Sequence, residues 1–133
     1  MEVSALSPSL VALRLVYLAN IFVAGSIGIT CLFTDRGAAT IFEGAVVQSE
    51  GLRVVGALWL AIAICSGLGL LRPEAFAAVL VLQLVYKSSW LLVVGWPAWR
   101  QGLAYPKSMA LFFVVWVLVL PFVIPWRQLF LAS

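Results

Sequence analysis

The strongest constraint on this chain is a succession of four apolar runs separated by short polar connections. They cover about residues 10–33, 52–71, 75–96 and 107–126, with a single sizeable connection at 34–51. A helix over the first run rises roughly 36 Å at about 1.5 Å per residue, enough to cross a ~30 Å hydrocarbon core with some tilt. Charge is scarce as well. Only 10% of the residues are charged and 65% are hydrophobic, whereas a soluble domain carries about 25% charged residues. The expected fold is therefore all-α: an integral membrane bundle of four transmembrane helices in up-down order, forming one domain.

The connections refine this expectation. Arg72-Pro73-Glu74 leaves room only for a tight hairpin between the second and third helices, with Pro73 suited to a first helical position. The third run is expected to end at Pro97, and Pro121 and Pro125 to bend the fourth near its end. Residues 38–48 suit a short interfacial helix. The first run is too long for a signal-peptide core and has Glu2 as its only preceding charge, so it reads as an uncleaved span. Four spans place both termini on one face. Arg14, Arg72 and Arg127 lie on that face and Arg36, Arg53, Arg100 and Lys107 on the other, so basic residues do not orient the chain. Cytoplasmic termini are expected because the longest, most acidic loop is then the translocated one.

Several chemistries are excluded by composition. The chain has no histidine and two cysteines, which removes a bis-histidine haem and an ordinary structural zinc site. Cys31 lies near the outer end of the first span and Cys65 roughly 20 Å below that boundary, too far for a disulfide. The net charge of +3 is spread singly at span ends, unlike a nucleic-acid footprint.

Lys87 is the most informative residue. It lies roughly 18 Å into the third span, near the midplane, where insertion costs about 2.5–3.5 kcal/mol. Gln83 is one turn away, while Asn20 and Tyr17 reach a similar depth from the first span. These four are expected to form a buried polar cluster: a site that holds an anionic or carbonyl group or moves a proton, or else a plain interhelical network or a lysine snorkelling past its own helix. Arg53 can anchor a phosphate or carboxylate, or simply the helix end. Trp96, Trp99 and Trp126 suit an aromatic belt. Trp59, Trp90 and Trp116 lie deeper, roughly 8–14 Å below the outer boundary. Pointing inward, they make an aromatic tier between Arg53 and Lys87; pointing outward, the preferred reading, they face lipid or a partner. Ala24 with Gly28, Ala63 with Gly67, and Gly56 and Gly69 are expected to be helix contacts.

At EGLRVVGALWLAIAICSGLGLLRPEAF, followed by LQLVYKSSWLLVV, the sequence resembles the DoxX-like group of small four-helix bacterial membrane proteins. Arg53 with Gly56 and the Arg72-Pro73-Glu74 hairpin carry the resemblance, which covers roughly residues 43–96. It implies a bundle in a bacterial inner membrane, in a group partly linked to quinone-coupled oxidation of sulfur compounds. It supplies no catalytic residue.

Three functions are compatible with these features, and they rank in the order given, the first modestly ahead. The first is a non-catalytic accessory subunit of a larger membrane complex, or a self-associating protein. The second is binding or transport of a small lipophilic or anionic molecule, such as a lipid or quinone, around Lys87. The third is a membrane subunit of a quinone-linked oxidoreductase whose cofactor sits on a partner, since no intrinsic cofactor is expected. Membrane lipids are expected partners and nucleic acid is not.

Overall fold

The structure, a computed structural model, describes residues 8–131 and is all-helical over that range. The helices are α1 (Pro8–Phe33), α2 (Gly37–Thr40), α3 (Glu50–Leu71), α4 (Ala78–Gln101), α5 (Lys107–Val123) and α6 (Trp126–Phe130). Helices α1, α3 and α4 are long and apolar enough to cross a membrane. Helix α5 is apolar but has 17 residues, a length of about 25 Å. Glu2, which bears on the uncleaved start, and both chain ends lie outside the described residues. Large apolar side chains such as Leu15, Phe22, Leu111 and Phe122 are exposed on the outer faces, where hydrocarbon suits them better than water.

Prolines set the places where helix bounds differ from the sequence reading. The hairpin is not a three-residue turn: after a bend at Arg72, consecutive turns occupy residues 73–77, and α4 begins at Ala78. Pro73 is therefore not a first helical residue. Its carbonyl accepts the Tyr17 hydroxyl at 2.6 Å, while the Ala77 N–H turns to Glu74 O at 3.3 Å. Nor does the third run stop at Pro97. Proline lacks the N–H that would bond Val93 O, and its ring would crowd that carbonyl. A π-helical turn at Leu91–Gly95 widens the helix just before it, with Trp96 N–H reaching Leu91 O, and α4 continues to Gln101. Gly102, at φ +68°, then ends it in the left-handed conformation.

The fourth run ends early for a similar reason. Pro121 is accommodated inside α5, but Pro125 cannot donate to Pro121 O, and the helix stops at Val123. The Trp126 indole N–H takes that carbonyl at 2.9 Å. The long connection forms only the single turn α2, not a helix over residues 38–48. Instead it folds back on the bundle: Phe42 is buried, and the Gln48 side chain accepts the Ala38 N–H at 3.1 Å. At the start of α3, Ser49 caps the helix by accepting Leu52 N–H at 3.3 Å.

Helices α1 and α3 make the closest approach. A Cβ on Gly28 would stand 2.6 Å from Leu60 N, and one on Gly56 would stand 2.7 Å from Leu32 N. Neither neighbour can yield, because both are helix backbone. Ala24 and Ala63 are buried in the same region, and Gly69 receives the Tyr17 ring. Gly67, expected at a contact, faces open space. Helix α5 lies against α4, whereas α3 and α4 diverge.

The glycine seam makes a direct prediction. Gly56→Ala should destabilise the protein by about 1–3 kcal/mol through overpacking, read as a lower melting midpoint in detergent. Gly67→Ala should leave the midpoint unchanged or raise it.

Candidate functional site

A polar layer joins three helices in the apolar interior. Asn20 on α1 and Gln83 on α4 exchange both amide bonds: Asn20 Nδ2 donates to Gln83 Oε1 at 2.8 Å, and Gln83 Nε2 donates to Asn20 Oδ1 at 3.1 Å. Asn20 Nδ2 also donates to Ser66 Oγ on α3 at 3.1 Å. All three side chains are buried. Without water, such groups must satisfy one another, and their pairing fixes which faces of the helices meet.

One turn along α4 lies Lys87, 4% exposed. Its Nζ donates to the Tyr86 hydroxyl at 2.8 Å, its only hydrogen bond among the described residues. The other neighbours of the ammonium group are rings: Tyr86 at 4.6 Å, Phe113 at 5.1 Å and Trp116 at 5.6 Å from centroid. No carboxylate pairs with it; Arg53 makes both ion pairs found among the described residues. The Tyr86 hydroxyl accepts a second bond, from Trp59 Nε1 at 2.8 Å. Phe113 stands edge-on to Tyr86 and Trp90, and Phe42 stacks on Trp59.

Two cavities meet at this cluster. A void of about 20 Å³ touches Asn20, Gln83, Lys87 and Trp116, which is room for about one water molecule. The other, of about 570 Å³, occupies the space between α3 and α4. Its walls include Ile62 and Cys65 of α3, Val79 and Trp90 of α4, Phe113 of α5, and Phe42 of the long connection. Leu58 and Leu82 at its edges are exposed, so it opens on the apolar outer surface. Trp59, Tyr86 and Phe113 line both cavities.

Of the expected site residues, Asn20, Gln83 and Lys87 come together. Tyr17 does not join them: its hydroxyl is held at Pro73 O, where the short connection approaches α1. Arg53 is also elsewhere. It lies at the exposed start of α3, 3.0 Å from Asp35 and 3.6 Å from Glu50, and lines neither cavity. The outward reading of the three deep tryptophans is overturned, since Trp59 and Trp116 are buried and Trp90 is half-buried against the core. They do not form a tier above Lys87 either, because Trp116 lies against the lysine itself. Ser66, Phe42 and Phe113 carried no sequence signal as site residues. Tyr86 was visible only as the neighbour of Lys87, and a strict helical-face argument sets adjacent residues on different faces.

Glu43 clasps the long connection to α5. Its carboxylate accepts Lys107 N–H at 2.5 Å and the Ser108 hydroxyl at 2.8 Å, a helix start where negative charge is favoured. The Ser108 hydrogen bond, followed by the backbone N–H groups and the Lys107 charge, holds its carboxyl below the usual range.

Two tests follow. Asn20→Ala strands the Gln83 amide and should cost about 1–3 kcal/mol, whereas Asn20→Leu with Gln83→Leu should recover much of the loss in a melting assay. For Glu43, a depressed folded pKa means stability that is present above the ordinary value and lost as pH falls through the folded one. The melting midpoint of the native chain should therefore exceed that of Glu43→Gln above about pH 5, and the difference should vanish in acid. No family model matches this chain, and neither does any curated protein or solved structure.

Proposed function

We propose that this chain is a small integral membrane protein of four transmembrane helices in up-down order that binds a small lipophilic molecule in the α3–α4 cavity. Helix α5 is the fourth span of this reading, short enough to need local thinning of the bilayer or snorkelling of Lys107 at its end. A bacterial inner membrane with cytoplasmic termini accords with the DoxX-like resemblance and with translocation of the acidic loop.

The observation that carries the proposal is the state of Lys87. A lysine ammonium has three donors, and here one acceptor and three aromatic faces surround it. An ionisable residue placed so deep marks a functional site by default. The adjoining cavity supplies an apolar, aromatic container that opens where lipid-soluble molecules partition. A second reading, an accessory subunit, is favoured by the exposed Trp96 and Trp99 on α4, a surface of the composition that partner proteins cover.

Native mass spectrometry of protein extracted mildly from its own membranes tests both. Under the binding reading a small molecule co-purifies, and its occupancy falls at least about tenfold, or 1.4 kcal/mol, in Lys87→Met but not in Arg53→Gln. Undiminished occupancy in a folded Lys87→Met protein would refute the binding role, and a stoichiometric second protein would establish the subunit reading.

A further inference from the structure

A groove separate from the α3–α4 cavity runs between the end of α4 and the start of α5, with a volume of about 350 Å³. Its α5 wall is Lys107, Ala110, Leu111 and Val114, a spacing that keeps all four on one helical face. Leu92, Gly95, Trp96 and Trp99 of α4 form the facing wall, and Tyr105 of the connection borders the groove. Gly95, buried at the close of the π turn, leaves that wall without a side chain at its middle. The groups follow the order of a phospholipid. Lys107, Trp99 and Tyr105 stand towards the helix ends, where ammonium and aromatic groups meet the headgroup layer. Leu92, Leu111 and Val114 lie deeper, and the rise from Lys107 to Val114 is roughly 10 Å, room for the upper part of an acyl chain.

Charge sets this groove apart from an ordinary apolar face. Arg36, Arg53, Arg100 and Lys107 stand at this end of the bundle with the acids Asp35, Glu43 and Glu50. Arg53 takes both Asp35 and Glu50. Glu43 feels the Lys107 charge, but its oxygens accept the Lys107 backbone N–H and the Ser108 hydroxyl. Neither the Lys107 ammonium nor the Arg100 guanidinium is in an ion pair among the described residues. Arg100 borders a neighbouring hollow that shares Trp96 with the groove. We infer that the groove holds one anionic phospholipid, its phosphate at Lys107 and an acyl chain along Leu92, Leu111 and Val114, with the charge of Arg100 adding to the attraction. A zwitterionic lipid fits the same apolar walls but brings its own ammonium to a basic surface. A basic residue beside an anionic headgroup strengthens binding about fivefold. The inference needs α5 to be the fourth span proposed above and is independent of what the α3–α4 cavity holds.

Dioleoyl phosphatidylglycerol and dioleoyl phosphatidylcholine, which share their chains and differ in headgroup charge, provide the test. Each is titrated into the full chain in a neutral detergent, and native mass spectrometry counts the lipids bound. The expected result is one phosphatidylglycerol held at least about fivefold more tightly than phosphatidylcholine. Lys107→Gln should remove most of that preference, whereas Arg36→Gln, which loses the same charge at the same end, should keep it. Val114→Trp grows from a residue 42% exposed into the apolar part of the groove, and should weaken both lipids. Equal affinities in the native chain would overturn the inference. So would an Arg36→Gln loss as large as that of Lys107→Gln, which would mean diffuse surface attraction, or unchanged binding in Val114→Trp, which would place the lipid elsewhere. A second protein that co-purifies with the native chain and is lost in Val114→Trp would give the groove to a partner instead. Failure of the fourth-span reading shows separately: a membrane-impermeant maleimide would then label Leu118→Cys, at mid-α5, in vesicles. Protection of that thiol together with equal lipid affinities would leave the span standing and remove the lipid site alone.

Discussion

The pairing of Asn20 with Gln83 is the joint on which the interior depends. Two amides that exchange donors and acceptors leave little freedom in the relative rotation of α1 and α4, and the additional bond to Ser66 brings α3 into the same layer. In an apolar medium these groups have no water to fall back on, so a helix that rotated out of register would strand them. Apolar contacts alone would tolerate such a rotation, because leucine and valine faces are nearly interchangeable. Interhelical hydrogen bonds of this type are worth about 0.6–2 kcal/mol each. Their larger contribution is to choose one arrangement among several of similar packing.

From that joint the cavity follows. Gly28 and Gly56 draw α1 and α3 together until backbone meets backbone. Helix α4, tied to α1 through Gln83 and packed on α5, cannot also close on α3. The space left between them is bordered by the large rings of Trp59, Trp90 and Phe113, with Phe42 reaching in from the long connection. Lys87 lies beside this space and takes its surroundings from the same rings. With no carboxylate in reach, ring faces and one phenol oxygen are what the fold offers its charge.

The backbone obeys the same rule as the side chains. Around three of the prolines, Pro73, Pro97 and Pro125, backbone groups find local substitutes for the regular ladder. Tyr17 takes the carbonyl of Pro73, a π-turn relieves Pro97, and the Trp126 indole takes the carbonyl that Pro125 cannot. Two residues that look from sequence like a cluster member and a belt aromatic therefore act as replacements for missing backbone donors. Glu43 does comparable work at the exposed start of α5, accepting the Lys107 N–H that the helix start leaves open together with the Ser108 hydroxyl.

By itself the sequence determined that the chain is helical, that at least three of its apolar runs are long enough to span a membrane, and that Asn20, Gln83 and Lys87 are out of place anywhere but in a shared interior. Those conclusions follow from length, hydropathy and the cost of burying polar groups, all of which are local. Tertiary structure alone decided that Tyr17 and Arg53 leave that group and that Ser66, Tyr86 and Phe113 enter it. It also turned the deep tryptophans inward and opened α3 from α4. Depth along a helix can be counted from sequence, but the direction a side chain faces depends on how each helix rotates about its axis. That rotation is set by glycine contacts and amide pairing between segments far apart in the chain.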